Sequence, residues 1–493
     1  MSMRRFKQLL AAIAAPLMLA AAGSVMAGQP PVPLKLDGMN DADKQLILRG
    51  QYLATASDCI ACHTVHHGKA MAGGLVMSSP VGDIVSTNIT PSKTTGIGNY
   101  TEQQFSDAVR KGVRADGARL YPAMPYPSYA LMTDEDIHAM YVYFMKGVEP
   151  VEKQTAETKL PFPMNMRFLM TGWNLMFLPS KPLADDPGQS AEWNRGRYLT
   201  QGAAHCSTCH TPRGVAMQEL GDRDLSGAQV GAWYAPNITS DKVYGIGSWS
   251  REELVTYLKT GRVEGKAQAA GSMAEAISFS FSHLTDADLN AIATYVMSVK
   301  PVADAKAAPS GKSRFEQGKA GNDLSGFRGE GYVMGVKGGS AGAQLFSANC
   351  ASCHGFNAQG TKDGYYPSLF SNAATAGPST SNLVATILYG VDRKTAAGHV
   401  FMPPFGGQPN AMVALNNEEI AQLANYVFTN HGEPTLQVTA ADVQVIRDGG
   451  PRSNIITLAR IGMGVGAVVV LLLLLALIVR SKRRNRGVVA RKR

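Results

Sequence analysis

The sequence predicts a mainly α-helical chain: three tandem helical domains followed by one C-terminal transmembrane helix. Three observations predict this. A Cys-x-x-Cys-His pentapeptide occurs three times and uses all six cysteines. The residues around the first two copies repeat each other in order, as tandem domains do. Ile461 to Val479 carries no charge, and as a helix it would span about 28 Å, enough to cross a hydrocarbon core.

At 493 residues the chain exceeds one ordinary domain. With 45% hydrophobic and 17% charged residues it can bury real cores, which excludes global disorder. The net charge is +9, but residues 480–493 alone hold eight Lys or Arg and no acid. The excess is therefore a tail, not a groove, and nucleic-acid binding is excluded. Arg4, Arg5 and Lys7, the apolar run Leu9 to Ala22 and the small-residue site Val25-Met26-Ala27 read as a signal peptide over residues 1–27. The positive-inside rule puts the basic tail 481–493 in the cytoplasm and the span 460–480 in a bacterial inner membrane. The body then lies in the periplasm.

The repeat organises that body. Arg49-Gly50-Gln51-Tyr52-Leu53 precedes the first cysteine motif and Arg195-Gly196-Arg197-Tyr198-Leu199 the second. Downstream, Asn-Ile-Thr and Gly-Ile-Gly recur at Asn88 to Gly98 and at Asn237 to Gly247. Each unit closes with an apolar-periodic stretch opened by Thr and an acid three residues on, Thr133/Asp136 and Thr285/Asp288, an N-terminal helix signal. The third unit opens at Gly342, closes with the helix pattern from Asn416, and lacks the Asn-Ile-Thr and Gly-Ile-Gly elements. The expected domains are 40–152, 188–303 and 338–433, with a linker over 304–337. Some thirty residues separate His431 from Ile461, so the third unit is expected nearest the membrane.

Cys59-Ile60-Ala61-Cys62-His63, Cys206 to His210 and Cys350 to His354 share a histidine directly after the second cysteine. A disulfide, a redox dithiol or half a zinc site does not require it. Covalent haem c does. Two thiols one helical turn apart add to the two vinyl groups, and the next imidazole ligates the iron. Three motifs predict three covalently bound haem c groups.

A thioether on the opposite face favours the reduced iron. Met124, in the proline-stiffened YPAMPYPSY, and Met402, followed by two prolines, are the candidates in units one and three. Met273, in AAGSMAEAI, is the candidate in unit two and lacks the prolines. Met412 is the rival to Met402. His205 and His399 are the other histidines placed to act as ligands or propionate partners. Arg213 is a candidate propionate partner. Tyr100 and Trp249 are expected to line haem pockets, and Tyr52 and Tyr198 to pack on the opening helices.

With these motifs the chain resembles the triple-haem cytochrome c subunit of bacterial membrane-bound sugar, sugar-acid and alcohol dehydrogenases. The likeness covers nearly the whole body, in order, and implies class I cytochrome c-like domains. It implies haem attachment at Cys59/Cys62, Cys206/Cys209 and Cys350/Cys353, and axial pairs His63/Met124, His210/Met273 and His354/Met402. It further implies an FAD- or PQQ-dependent dehydrogenase subunit as partner, with a small subunit where one exists, and ubiquinone or a terminal oxidase as acceptor. A flavoprotein gluconate, keto-gluconate or sugar dehydrogenase is the expected partner, with a PQQ alcohol dehydrogenase as the alternative. No dinucleotide fingerprint or catalytic constellation for an organic substrate is present, which fits a carrier that is not catalytic by itself. The opposed class is a self-contained multihaem reductase or peroxidase, which would keep one iron face open.

Overall fold

The computed structural model describes residues 32–303, 313–321 and 340–490. The expected signal peptide, most of the expected linker and the end of the basic tail lie outside the described residues.

Three times the chain runs through an opening helix, a short cysteine-motif turn, a middle helix and a closing helix. The opening helices are Asp41–Ala56, Ala191–Tyr198 and Ala341–Asn349; the closing ones are Asp134–Val142, Asp286–Ser298 and Asn417–His431. Side chains of Asn40, Ser190 and Ser340 accept from the third backbone amide of the opening helices, and Thr133, Thr285 and Asn416 do the same for the closing helices. These caps satisfy donors that a helix start leaves unpaired. The middle helices Glu102–Lys111 and Arg251–Thr260 stop at left-handed Gly112 and Gly261, where glycine carries no side-chain penalty. Among the described residues the only sheets are two-stranded antiparallel hairpins.

One crossing sets the geometry of each unit. A Cβ on Gly50 would lie 2.0 Å from the Ala139 carbonyl oxygen, one on Gly196 1.8 Å from that of Ala291, and one on Gly342 2.3 Å from that of Gln422. Tyr143, Tyr295 and Tyr426, one turn further along, close the same contacts. Opening and closing helices therefore touch backbone to backbone, which only glycine permits.

The buried apolar residues form two clusters. Units one and two share one, running from Val32 to Phe315, and the third unit has its own. The third cluster extends past residue 433, because Val438, Val443 and Ile446, the last two on helix Ala440–Arg447, pack into it. Ala232 and Trp233 of unit two also pack there. Unit two thus touches both neighbours.

The last helix runs Ile455–Ala490, and no residue of its apolar part Ile455–Arg480 is buried. A helix apolar all round and uncovered is long enough to span a bilayer. The expectation that unit three lies nearest its base is corrected. The connector after unit three passes unit two, where Gly450 abuts the Gly231 backbone, and Arg460 then donates to the Phe162 carbonyl at 3.0 Å. Phe162 belongs to a segment trailing unit one. That segment carries helix Leu169–Phe177, none of whose residues is buried, with Leu175 89% exposed.

Candidate haem-binding sites

The three motif histidines are held alike. His63 Nδ1 lies 2.7 Å from the Thr87 carbonyl oxygen, His210 Nδ1 2.6 Å from that of Pro236, and His354 Nδ1 2.9 Å from that of Pro367. A carbonyl only accepts, so each Nδ1 carries the proton and each Nε2 presents a lone pair, the arrangement of a metal-bound imidazole. Burial pushes all three imidazoles below their ordinary pKa against the opposing pull of that hydrogen bond, so they are neutral and able to ligate.

In units one and two the repeated Asn-Ile-Thr and Gly-Ile-Gly elements build those acceptors. Asn88 follows Thr87 and Asn237 follows Pro236. Each Asn accepts from its own i+2 threonine amide and hydroxyl and donates its amide to the chain beyond the closing helix, at Val151 and Val302. Ile97 and Ile246 return backbone hydrogen bonds to Thr90 and Thr239. A Cβ on Gly96, Gly98, Gly245 or Gly247 would stand 2.1 to 2.3 Å from a backbone oxygen of that turn. The carbonyl that aims the histidine is thus clamped by the motif beside it.

The six cysteines are unpaired with one another. Burial pushes the Cys59, Cys62, Cys206 and Cys350 thiols up to about 12, and raises Cys209 as well. That is the opposite of the lowered thiol pKa of a redox dithiol. Cys350, Cys353, His354 and Met402 line one apolar cleft with about 970 Å³ of empty space, its open mouth included. That is the donor set and shape a haem requires.

Met402 ends strand Gly398–Met402 inside the cleft, whereas Met412 is 75% exposed and outside it. Met124 is partly buried against the shared cluster that Cys59 also touches, in a tight turn where the Tyr126 amide donates to the Met124 carbonyl at 2.7 Å. Met273 packs on that cluster too, near the start of helix Gly271–Phe279. His205 Nε2 lies 3.3 Å from the Ser57 carbonyl of unit one, and His399 pairs with Asp392 at the surface. Arg213 is engaged by its own loop, with Thr208, Met217 and Glu219. Trp249 is buried, while Tyr100 is only partly so. Tyr52 and Tyr198 pack on the shared cluster as expected, and their hydroxyls also hydrogen-bond across the boundary between units one and two. Their sequence signal was the repeated Arg-Gly-x-Tyr, and its meaning required the partner unit.

Comparison with known proteins agrees with the geometry. The cytochrome c family model matches residues 47–147 and 339–430. The chain is 43% identical to the fructose dehydrogenase cytochrome subunit of Gluconobacter japonicus, over 98% of this chain and all of that one. It is 39% identical to the alcohol dehydrogenase (quinone) cytochrome c subunit of Gluconacetobacter polyoxogenes, over 87% and 89% of the two chains. It is 37% identical to the gluconate 2-dehydrogenase cytochrome c subunit of Pantoea cypripedii, over 83% and 91%. With such identity sustained across nearly its whole length, the chain carries covalent haem c and belongs to the family of dehydrogenase cytochrome c subunits.

Proposed function

We propose that the chain holds three haem c groups, one per repeat, and relays electrons from a separate sugar or sugar-acid dehydrogenase subunit to ubiquinone. The observation that carries the reading is the threefold hydrogen bond from motif-histidine Nδ1 to a backbone carbonyl. In each repeat the cysteines would tether the group and the motif histidine would ligate it, with Met124, Met273 or Met402 as the second residue holding it. Haem c, when bound, supplies one-electron exchange between ferric and ferrous iron. With a histidine and a methionine both holding the group in each repeat, an organic substrate would find no place on it, so the oxidation itself would fall to the partner. The highest identity among the three relatives named above is to the fructose dehydrogenase subunit, which supports a sugar-class partner, and the family resemblance supports FAD as its cofactor.

Unit two stands in the middle of the relay. Helix Gly271–Phe279, which carries Met273, touches the Cys59–His63 turn on one side and strand Val391–Thr395 of unit three on another. Unit one lies beside the membrane. The segment that meets the base of the span also covers the Met124 turn, with Tyr121 donating to the Met164 carbonyl and Tyr126 to Asn174 at 2.8 Å. Quinone then approaches at unit one, with the haem units in the periplasm and the tail in the cytoplasm.

The test is reconstitution. The purified chain alone should oxidise no sugar, sugar acid or alcohol. Mixed with its dehydrogenase subunit it should be reduced by substrate and reoxidised by a short-chain ubiquinone analogue. Substrate oxidation by the isolated chain would overturn the relay, and reduction without reoxidation would overturn the quinone acceptor.

A further inference from the structure

Among the described residues only two arginines are buried, and both stand at unit two without belonging to it. Arg314 lies in the described stretch 313–321 beyond that unit and is 4% exposed; Arg393 is on strand Val391–Thr395 of unit three and is 1% exposed. Arg314 Nη2 donates to the Asn237 carbonyl at 3.1 Å, one residue beyond the carbonyl that holds His210. Its Nε and Nη1 meet no partner. Arg393 Nη1 donates to the Ala269 carbonyl at 2.6 Å and Nη2 to Gln268 at 3.2 Å, while its Nε meets none. Trp249, 6% exposed, has an indole N–H with no partner, and its ring meets Tyr257 and Phe315 edge-on at 5.6 and 5.4 Å. Both guanidiniums act electrostatically on the half-buried Tyr257, and Arg314 acts on His210.

Burial pushes Arg314 down to about 10, so it remains a cation at neutral pH. A buried cation with unmet donors is costly unless an anion answers it. The thioether bonds hold the vinyl edge of a porphyrin, and its other edge carries two propionates. A guanidinium fork suits a carboxylate, and an indole N–H adds one more donor.

We propose that Arg314, Trp249 and Arg393 form the site for the propionates of the haem held by Cys206, Cys209 and His210. The linker and unit three thereby set the charge around the haem of unit two. The inference rests on the haem-holding reading of that unit. It makes unit three a contributor to the potential of its neighbour's haem, through a residue far in sequence from the cysteine motif it serves.

The experiment is a spectroelectrochemical titration of the full chain, with mass analysis of the Cys206–His210 peptide to confirm its haem. The haem of unit two is assigned as the one whose midpoint moves in a Met273→Ala chain. Removing a nearby cation favours ferric iron, so Arg314→Gln and Arg393→Gln should each lower that haem's reduction equilibrium constant about tenfold, as expected for one charge acting at low effective dielectric. In both variants its potential should also become pH-dependent, rising as the released propionate protonates. In the wild type it should stay flat between about pH 5 and 8, because a paired propionate is ionised throughout. Arg314→Lys, which keeps the charge, should restore most of the wild-type value. A bare Cys206–His210 peptide in the wild type would overturn the reading of unit two itself. A haem-loaded peptide with an unmoved potential in Arg314→Gln would overturn the propionate site. A shift confined to the haem of unit three in Arg393→Gln would overturn the contribution from the neighbouring unit.

Discussion

Tyr52 and Tyr198 occupy the same place in the repeat and trade partners across one boundary. The Tyr52 hydroxyl of unit one donates to Asp288 of unit two at 2.6 Å, and the Tyr198 hydroxyl of unit two donates to Asp136 of unit one at 2.5 Å. Each aspartate is also held within its own unit by the arginine three residues before that unit's tyrosine: Asp136 by Arg49, and Asp288 by a two-pronged contact with Arg195 at 2.8 Å. The boundary is thus a pseudo-twofold joint made by two copies of Arg-Gly-x-Tyr.

Tyr52→Phe and Tyr198→Phe should each destabilise the chain by about 1.5 to 3 kcal/mol, the worth of a hydrogen bond to a charged acceptor. Urea unfolding measures this. The two costs should be similar, since the residues are equivalent, and haem content should not change. An effect from only one of them would deny the symmetry of the joint.

The joint should also fail in acid. Burial raises Asp288, but hydrogen bonds from Arg195 and Tyr52 outweigh it and hold the carboxyl below its ordinary 3.8. A depressed folded value means stability that is present above the unfolded value and lost as pH falls through the folded one. The contribution is therefore intact at neutral pH and disappears below about pH 3.8. Replacing Asp288 with Asn should flatten the acid limb of a melting-temperature profile, and an unchanged limb would refute the assignment.

Gly196→Ala places a Cβ 1.8 Å from the Ala291 carbonyl oxygen. Neither helix can yield without moving its backbone, so the cost should reach or exceed about 3 kcal/mol, the upper range for overpacking. The expected result is little mature protein, or a melting point well below the wild type. Gly172→Ala meets nothing within 4 Å and serves as the harmless control.

Met402→Ala should abolish one sulfur-to-iron charge-transfer band and lower one haem potential, because the thioether stabilises reduced iron. Met412→Ala, at an exposed site outside the cleft, should change neither. The reverse pattern would move the ligand of unit three to Met412.

A chain ended after Ser453 loses the span but keeps helix Leu169–Phe177. It should leave the membrane fraction on salt washing with its haems intact. If it stays, a second chain with Phe168 and Leu175 replaced by Ser should release it. Retention of that second chain would show that the exposed face of Leu169–Phe177 is not what holds it.

The sequence by itself marked the proposed haem attachment points, because Cys-x-x-Cys-His is local chemistry: five residues on one turn carry all of it. It also determined the apolar span, which depends on length and composition, and the capped closing helices, whose signals lie within four residues of their starts. Met124 and Met402 are proposed as ligands from the prolines beside them. Met273 is proposed by its position in the repeat alone. What the tertiary structure alone decided is long-range. The Asn-Ile-Thr repeat was visible, but not that it clamps the carbonyl behind the histidine. Arg-Gly-x-Tyr was visible, but its glycine answers a closing helix some ninety residues away and its tyrosine answers another unit. The base of the span lies near unit one because the connector crosses unit two. Arg314 and Arg393 carried no motif at all. Their roles come from burial, and burial is a property of the folded chain: the same guanidinium is an ordinary solvated charge until packing removes its water and leaves its donors in need of an anion.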